Sequence, residues 1–176
     1  MKYIHFFIPI LFISFLSCGT SKETKNIQKS FLNAPFKEYL NKDHLIKSRE
    51  LISNSLNKSI LDNDSIIFIE MFNEINISYR CFIYTSTDNS LQKAVIFNTN
   101  SLHNSKKDIL QNEDVSEHSN KRLIDYFKQN NLDKIKEIGD KAWSTPSTDM
   151  IITMIRKVDN KRTVDYIITQ YDPSKF

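Results

Sequence analysis

Glycine is almost missing from this chain: only Gly19 and Gly139 occur among 176 residues. Phosphate-cradling loops need several glycines so that the backbone can approach an anion closely, so neither a P-loop nor a dinucleotide fingerprint can be built. The same scarcity leaves the many serines without a G-x-S-x-G nucleophile elbow. Cysteine is equally rare, with Cys18 and Cys81 alone. Should Cys18 be consumed by modification, Cys81 has no partner for an intrachain disulfide, even in an oxidising compartment. An excess of either charge is lacking too. Lys and Arg number 24 against 21 Asp and Glu, a formal net charge of +3. That balance is scattered along the chain and argues against a nucleic-acid partner.

What is present begins with Met1-Lys2, a short basic start, followed by the apolar run Tyr3–Leu16. Fourteen residues are too few to span a hydrocarbon core of about 30 Å, but they suit the apolar stretch of a signal peptide. Phe15-Leu16-Ser17-Cys18 closes the run with a small residue directly before a cysteine, and Gly19-Thr20-Ser21-Lys22 turns polar at once. The pattern resembles the leader of a bacterial lipoprotein. Such leaders usually carry Leu where Phe15 stands and a small residue where Leu16 stands, whereas Ser17 fits. The resemblance implies a signal peptide over residues 1–17, cleavage before Cys18, and acyl chains such as palmitate on the Cys18 sulfur. Two or more acyl chains hold a protein firmly on a membrane, since each buried methylene adds about 0.8 kcal/mol. It also implies a location on the bacterial cell envelope. Gly19 stands where an Asp resembles an inner-membrane retention signal, so the outer membrane is expected if the source has two.

Cleavage leaves 159 residues with 23 basic and 21 acidic side chains, because Lys2 departs with the leader. That is enough chain for one domain with a real core. Residues 18–35 read as the lipidated cysteine and a polar tether ended by Pro35, reaching about 20–25 Å if flexible. Ile27 and Phe31, four apart, could instead begin a short helix. Residues 36–58 read as an amphipathic helix whose apolar arc holds Tyr39, Leu45, Ile46, Ile52 and Leu56. Lys42, Lys47, Arg49 and Glu50 lie among or opposite them. The helix could lie on a membrane, but packing on the sheet that follows is the simpler reading.

After the Asp62-Asn63-Asp64 turn come three strand-like runs, Ser65–Phe72, Ile77–Thr85 and Leu91–Asn98. In the first, Ile67, Ile69 and Met71 alternate with Ile66, Phe68, Glu70 and Phe72. In the second, Ile77, Tyr79, Cys81 and Ile83 alternate with Ser78, Arg80, Phe82 and Tyr84. A three-residue turn would set Glu70 opposite Arg80. Residues 99–113 are polar and read as loop. Asp114 resembles a helix cap with Glu117 three later, and Leu123, Ile124 and Phe127 follow on one helix face. Leu132, Ile135 and Ile138 continue as a second helix, expected to stop at a left-handed Gly139. Met150–Val158 and Thr163–Gln170 complete the order α-β-β-β-α-α-β-β: an α+β domain over residues 36–176, with a five-stranded antiparallel sheet and helices packed on it. The segment Ile138-Gly139-Asp140-Lys141-Ala142-Trp143, ahead of that terminal hairpin, resembles a Gly-Asp-x-Ala-aromatic turn of several families of small secreted bacterial lipoproteins. The resemblance implies fold and location and no catalytic residue.

Several residues could carry chemistry. Glu70 and Arg80 amid Phe68, Phe72, Phe82 and Tyr84 could mark a small-ligand pocket; a cross-strand ion pair on a sheet face is the plainer account. Trp143 beside Pro146 could anchor a partner or pack over the core. His103, Asp108, Glu113, Asp114, Glu117 and His118 form the most metal-like grouping. The two histidines lie fifteen apart, and the adjacent Glu117 and His118 diverge on a helix, so no metal and no cofactor is expected. Cys81 alternates with apolar residues and reads as a buried, inert thiol, and His44 lacks an evident partner. The expected function is a noncatalytic envelope lipoprotein that binds a protein or an envelope component, with the membrane as partner through Cys18. A lipid-anchored hydrolase-like enzyme and an inhibitor or immunity-type lipoprotein are the alternatives.

Overall fold

Ser65–Asn73, with β-branched and aromatic side chains throughout (SIIFIEMFN), forms strand β1 at the heart of the domain. Its seven middle residues are all buried. A strand reads as a continuous apolar run only where both faces of its sheet are covered, and here they are. The computed structural model describes residues 22–37, 42–73, 78–96, 109–114, 120–140 and 149–170. Around β1 lie β2 (Ser78–Thr85), β3 (Ser90–Ile96), β4 (Gln111–Glu113), β5 (Asp149–Val158) and β6 (Lys161–Gln170). They make a six-stranded antiparallel sheet in the order β4-β3-β2-β1-β5-β6.

One face gathers Ile66, Phe68, Phe72, Tyr79, Cys81, Ile83, Ile151 and Ile155 beneath helices α1 (Lys22–Leu32), α2 (Lys42–Ser55) and α3 (Lys58–Leu61). Ile27 and Phe31 of α1 and Leu45 and Ile52 of α2 fill that layer. Phe31 stacks on Phe68 with ring centroids 4.5 Å apart. The other face carries Ile67, Ile69, Met71, Phe82, Tyr84, Ile152 and Met154 beneath α4 (Lys121–Lys128) and α5 (Leu132–Asp140), which contribute Leu123, Ile124, Phe127 and Ile135. The fold is therefore α+β, with helices on both sides of the sheet. Among the described residues no helix is long and apolar enough to cross a membrane.

The architecture departs from the sequence reading in identifiable places. Residues 22–32, expected in a tether, form α1, and its Ile27 and Phe31 are buried in the core. Three lysines and a glutamate make this segment look like linker, yet two apolar residues four apart suffice to pin a helix on a sheet. Gln111–Glu113 pairs with β3 as a sixth strand where loop was expected, giving the element order α-α-α-β-β-β-β-α-α-β-β. Helix α4 starts at Lys121 after Asn120, so Asp114 caps no described helix. Gly139 lies inside α5, and among the described residues no glycine takes positive φ. Asparagine and aspartate supply that conformation instead, as the residues after glycine best able to adopt it. Asn130 (φ 54°) ends α4, with Asn131 N–H donating to the Tyr126 carbonyl and Asn130 N–H to that of Phe127. This double bond pattern satisfies two carbonyls the helix would otherwise orphan. Asp159 (φ 49°) and Asn160 (φ 59°) form the two-residue turn between β5 and β6, the geometry that matches strand twist in a tight hairpin.

Candidate functional site

Glu70 and Arg80 do not meet. Asn73 pairs with Ser78, which sets Glu70 opposite Cys81 and Arg80 opposite Met71. This is one residue away from the expected register, and a one-residue slip moves a side chain to the opposite face. Arg80 is thus exposed on the face that carries Phe82 and Tyr84, while Glu70 is 1% exposed among the residues under α1 and α2.

The true partner of Glu70 is Arg49 of α2, itself 0% exposed. Arg49 Nε donates to Glu70 Oε1 at 2.7 Å and Nη2 to Oε2 at 3.0 Å. The Tyr79 hydroxyl donates to Oε1 at 2.7 Å, and Arg49 Nη1 donates to the Ala34 carbonyl. One guanidinium thus ties together the segment after α1, helix α2 and strand β1. Such two-pronged pairing uses the planar fork that lysine lacks. Burial alone would lower the Arg49 pKa, but the Glu70 charge and hydrogen bonds outweigh it and hold the guanidinium above its ordinary value. Burial, reinforced by the Glu70 charge, pushes the Tyr79 phenol and the Cys81 thiol well up. Cys81 is a buried free thiol and stays protonated at neutral pH; a thiol in that state is a poor nucleophile. The four residues form a sealed structural lock.

Phe82 and Tyr84 are packed rather than lining a pocket with Glu70. Tyr84 meets the Phe127 ring edge-on at 6.3 Å and donates its hydroxyl to Asn89 Oδ1 at 3.0 Å. His44 packs edge-on against Phe72, with Nδ1 3.5 Å from Ser48 Oγ, and burial lowers its pKa. Glu113 pairs with Lys93 at 2.7 Å. Among the described residues no three His, Cys, Asp or Glu side chains converge to hold a metal. Cys18, Trp143, His103, Asp108, Glu117 and His118 lie outside the described residues.

The accessible polar site lies elsewhere. A cavity of about 470 Å³ opens between α1 and the β5–β6 hairpin. Ile27, Ile155 and Val164 form its apolar side, and Lys22, Glu23, Asn26, Lys157, Asn160 and Arg162 its polar one. Arg162 Nε donates to Glu23 Oε1 at 2.8 Å, and its Nη1 to the Asn63 carbonyl at 2.9 Å. That hydrogen bond and charge hold the Glu23 carboxyl below its ordinary range. The Tyr166 hydroxyl donates to the Ser30 carbonyl at 3.0 Å. Glu23 beside Arg162 and Ser30 beside Tyr166 mean that α1 runs along β6 in the same direction, its first turn at the hairpin tip. A second cavity, also about 470 Å³, lies between the β3–β4 edge and α4, with Glu113, Asp114, Lys121, Asp125 and Lys128 around it.

No known family matches the chain, and neither does any curated protein or solved structure. Of the residues that build the lock, Arg49 did carry a signal: at 100° per residue it falls inside the arc drawn by Leu45, Ile46, Ile52 and Leu56. The cavity carried none, because it exists only once α1 is a helix and lies on the terminal hairpin.

Proposed function

We propose that this chain is a noncatalytic lipoprotein, held on the bacterial cell envelope by acyl chains on Cys18, whose α+β domain binds a protein or an envelope component. Where the source has two membranes, the outer one is its place. The observation that carries the reading is the Met1–Cys18 leader: a basic start, an apolar run of signal-peptide length, and a small residue directly before the cysteine. Two structural features support it. The coupled set Arg49, Glu70, Tyr79 and Cys81 is buried and serves the fold, so its perturbed groups are out of reach of a substrate. The accessible cationic cavity sits beside the first turn of α1, which begins four residues after Cys18 in the sequence.

Growth with labelled palmitate tests the anchor. The wild-type chain is expected to take up label and to sediment with membranes, and Cys18→Ala to lose both. A wild-type chain without label, or a Cys18→Ala chain with it, refutes the anchor. Crosslinked capture from whole envelopes then tests binding, with Cys18→Ala as control. A partner that survives stringent washing and disappears in the control supports the binding role.

A further inference from the structure

We infer that the cavity between α1 and the β5–β6 hairpin faces the bilayer and takes the phosphate of an anionic lipid headgroup. The inference rests on acylation of Cys18. Its first support is chain reach. Helix α1 begins at Lys22, so four residue steps separate its first Cα from that of Cys18, at most about 14 Å of extended chain. An acylated Cys18 sits at the membrane surface. The first turn of α1, and the hairpin tip that Arg162 ties to it through Glu23, are therefore held close to the headgroups. A free tether through residue 35 would have left the domain to turn at will; α1 packed into the core removes that freedom.

Charge is the second support. The cavity is lined by Lys22, Lys157 and Arg162 against the single carboxylate Glu23, an excess of two positive charges. Arg162 is engaged with Glu23 and the Asn63 carbonyl, which fixes it as part of the wall. Lys157 reaches Asp64 only at 3.8 Å, and that carboxylate is 68% exposed, so the lysine keeps charge to offer. Lys161 and Asp159, both exposed at the tip, cancel each other. Anionic lipid surfaces attract cations within about a Debye length of 8 Å, a distance that a connection of at most about 14 Å lets the first turn of α1 reach. Size is the third support. A volume of about 470 Å³ lies within the roughly 300–1,000 Å³ of small-ligand sites. The apolar side formed by Ile27, Ile155 and Val164 suits the glycerol portion below a phosphate, while Asn26, Ser30 and Asn160 can hydrogen-bond its oxygens.

The test uses the full acylated chain in phosphatidylglycerol/phosphatidylcholine vesicles, with a fluorophore on Val158→Cys or on Arg80→Cys. Val158 is exposed at the tip, and Cys81 is sealed from labelling. Arg80 registers through Met71 with Met150, eight residues of β5 from Val158, or about 26 Å. A headgroup-labelled lipid is expected to quench the Val158 label several-fold more than the Arg80 label. Lys22→Gln/Lys157→Gln is expected to lower the docked population by roughly thirtyfold and to level the two signals. Millimolar inorganic phosphate at constant ionic strength is expected to leave the contrast intact. Equal quenching at both positions in an acylated chain overturns the inference alone, as does an unaffected double variant. Loss of contrast on adding phosphate assigns the cavity to a free anion and overturns the headgroup assignment. A chain that proves unacylated by mass spectrometry overturns the anchor and the inference with it.

Discussion

Replacing Arg49 by methionine tests what holds α2 to the sheet. The substitution keeps an apolar stem and removes the guanidinium, so the Glu70 carboxylate, 1% exposed, is left with the Tyr79 hydroxyl. The Ala34 carbonyl loses its donor at the same time. Removing one partner of a buried ion pair costs about 3–5 kcal/mol, because the other charge stays desolvated and uncompensated. A single domain has about 5–15 kcal/mol of stability in all, so the variant should stand near the edge of folding. At roughly 2–4 °C per kcal/mol for a chain of this size, Tm should fall by about 6–20 °C. The double variant Arg49→Met/Glu70→Leu should regain most of that loss, since it abolishes the cost of desolvating both charges along with their attraction. The assay is urea unfolding followed by far-UV circular dichroism on the wild type, the two single variants and the double. A coupling energy of about 2 kcal/mol or more is expected from the cycle. A loss below about 1 kcal/mol in Arg49→Met with an unchanged m-value, or strictly additive singles, would show that the guanidinium is not the partner on which Glu70 depends.

Other perturbations follow from the same contacts. Phe31→Ala should cost about 3–5 kcal/mol, because Phe31 is buried against Phe68; an unchanged urea midpoint would return α1 to the status of a tether. Stability should decline in alkali. The folded-state pKa values of Cys81 and Tyr79 are raised above their ordinary 9.0 and 10.0, so the folded chain keeps protons the unfolded chain releases. Their contribution is fully present below pH 9 and is lost as pH rises beyond it. Urea midpoints measured from pH 7 upward check this, and Tyr79→Phe should flatten part of the decline while losing about 1.5–3 kcal/mol at neutral pH. At the hairpin turn, Asn160→Ala should cost about 1–2 kcal/mol because alanine resists positive φ, whereas Asn160→Gly should stay within about 0.5 kcal/mol of wild type; equal losses in thermal melts would refute the turn assignment.

The alternations in Ser65–Phe72 and Ile77–Thr85 were legible along the chain, and with them the two faces of the sheet and the inward side of α4 at Leu123, Ile124 and Phe127. The expectation of an inert Cys81 and the α+β class were legible as well, because period, length and composition are local properties. Partnership was not. Glu70 faced Arg80 on paper because a three-residue turn was the simplest choice, and the observed pairing of Asn73 with Ser78 sends Arg80 to the other face. Arg49 read as one of four charges among or opposite an apolar arc, since nothing short of the packed sheet reveals a carboxylate opposite it. The polar composition of residues 22–32 masked a helix that only the pockets over Phe68 could hold in place. By itself the sequence determined where the chain alternates and turns, since each depends on neighbours within a few residues. Only the tertiary structure decided which charges are buried together and which residues line the cavity between α1 and the β5–β6 hairpin, because these depend on register and on layers brought together from distant parts of the chain.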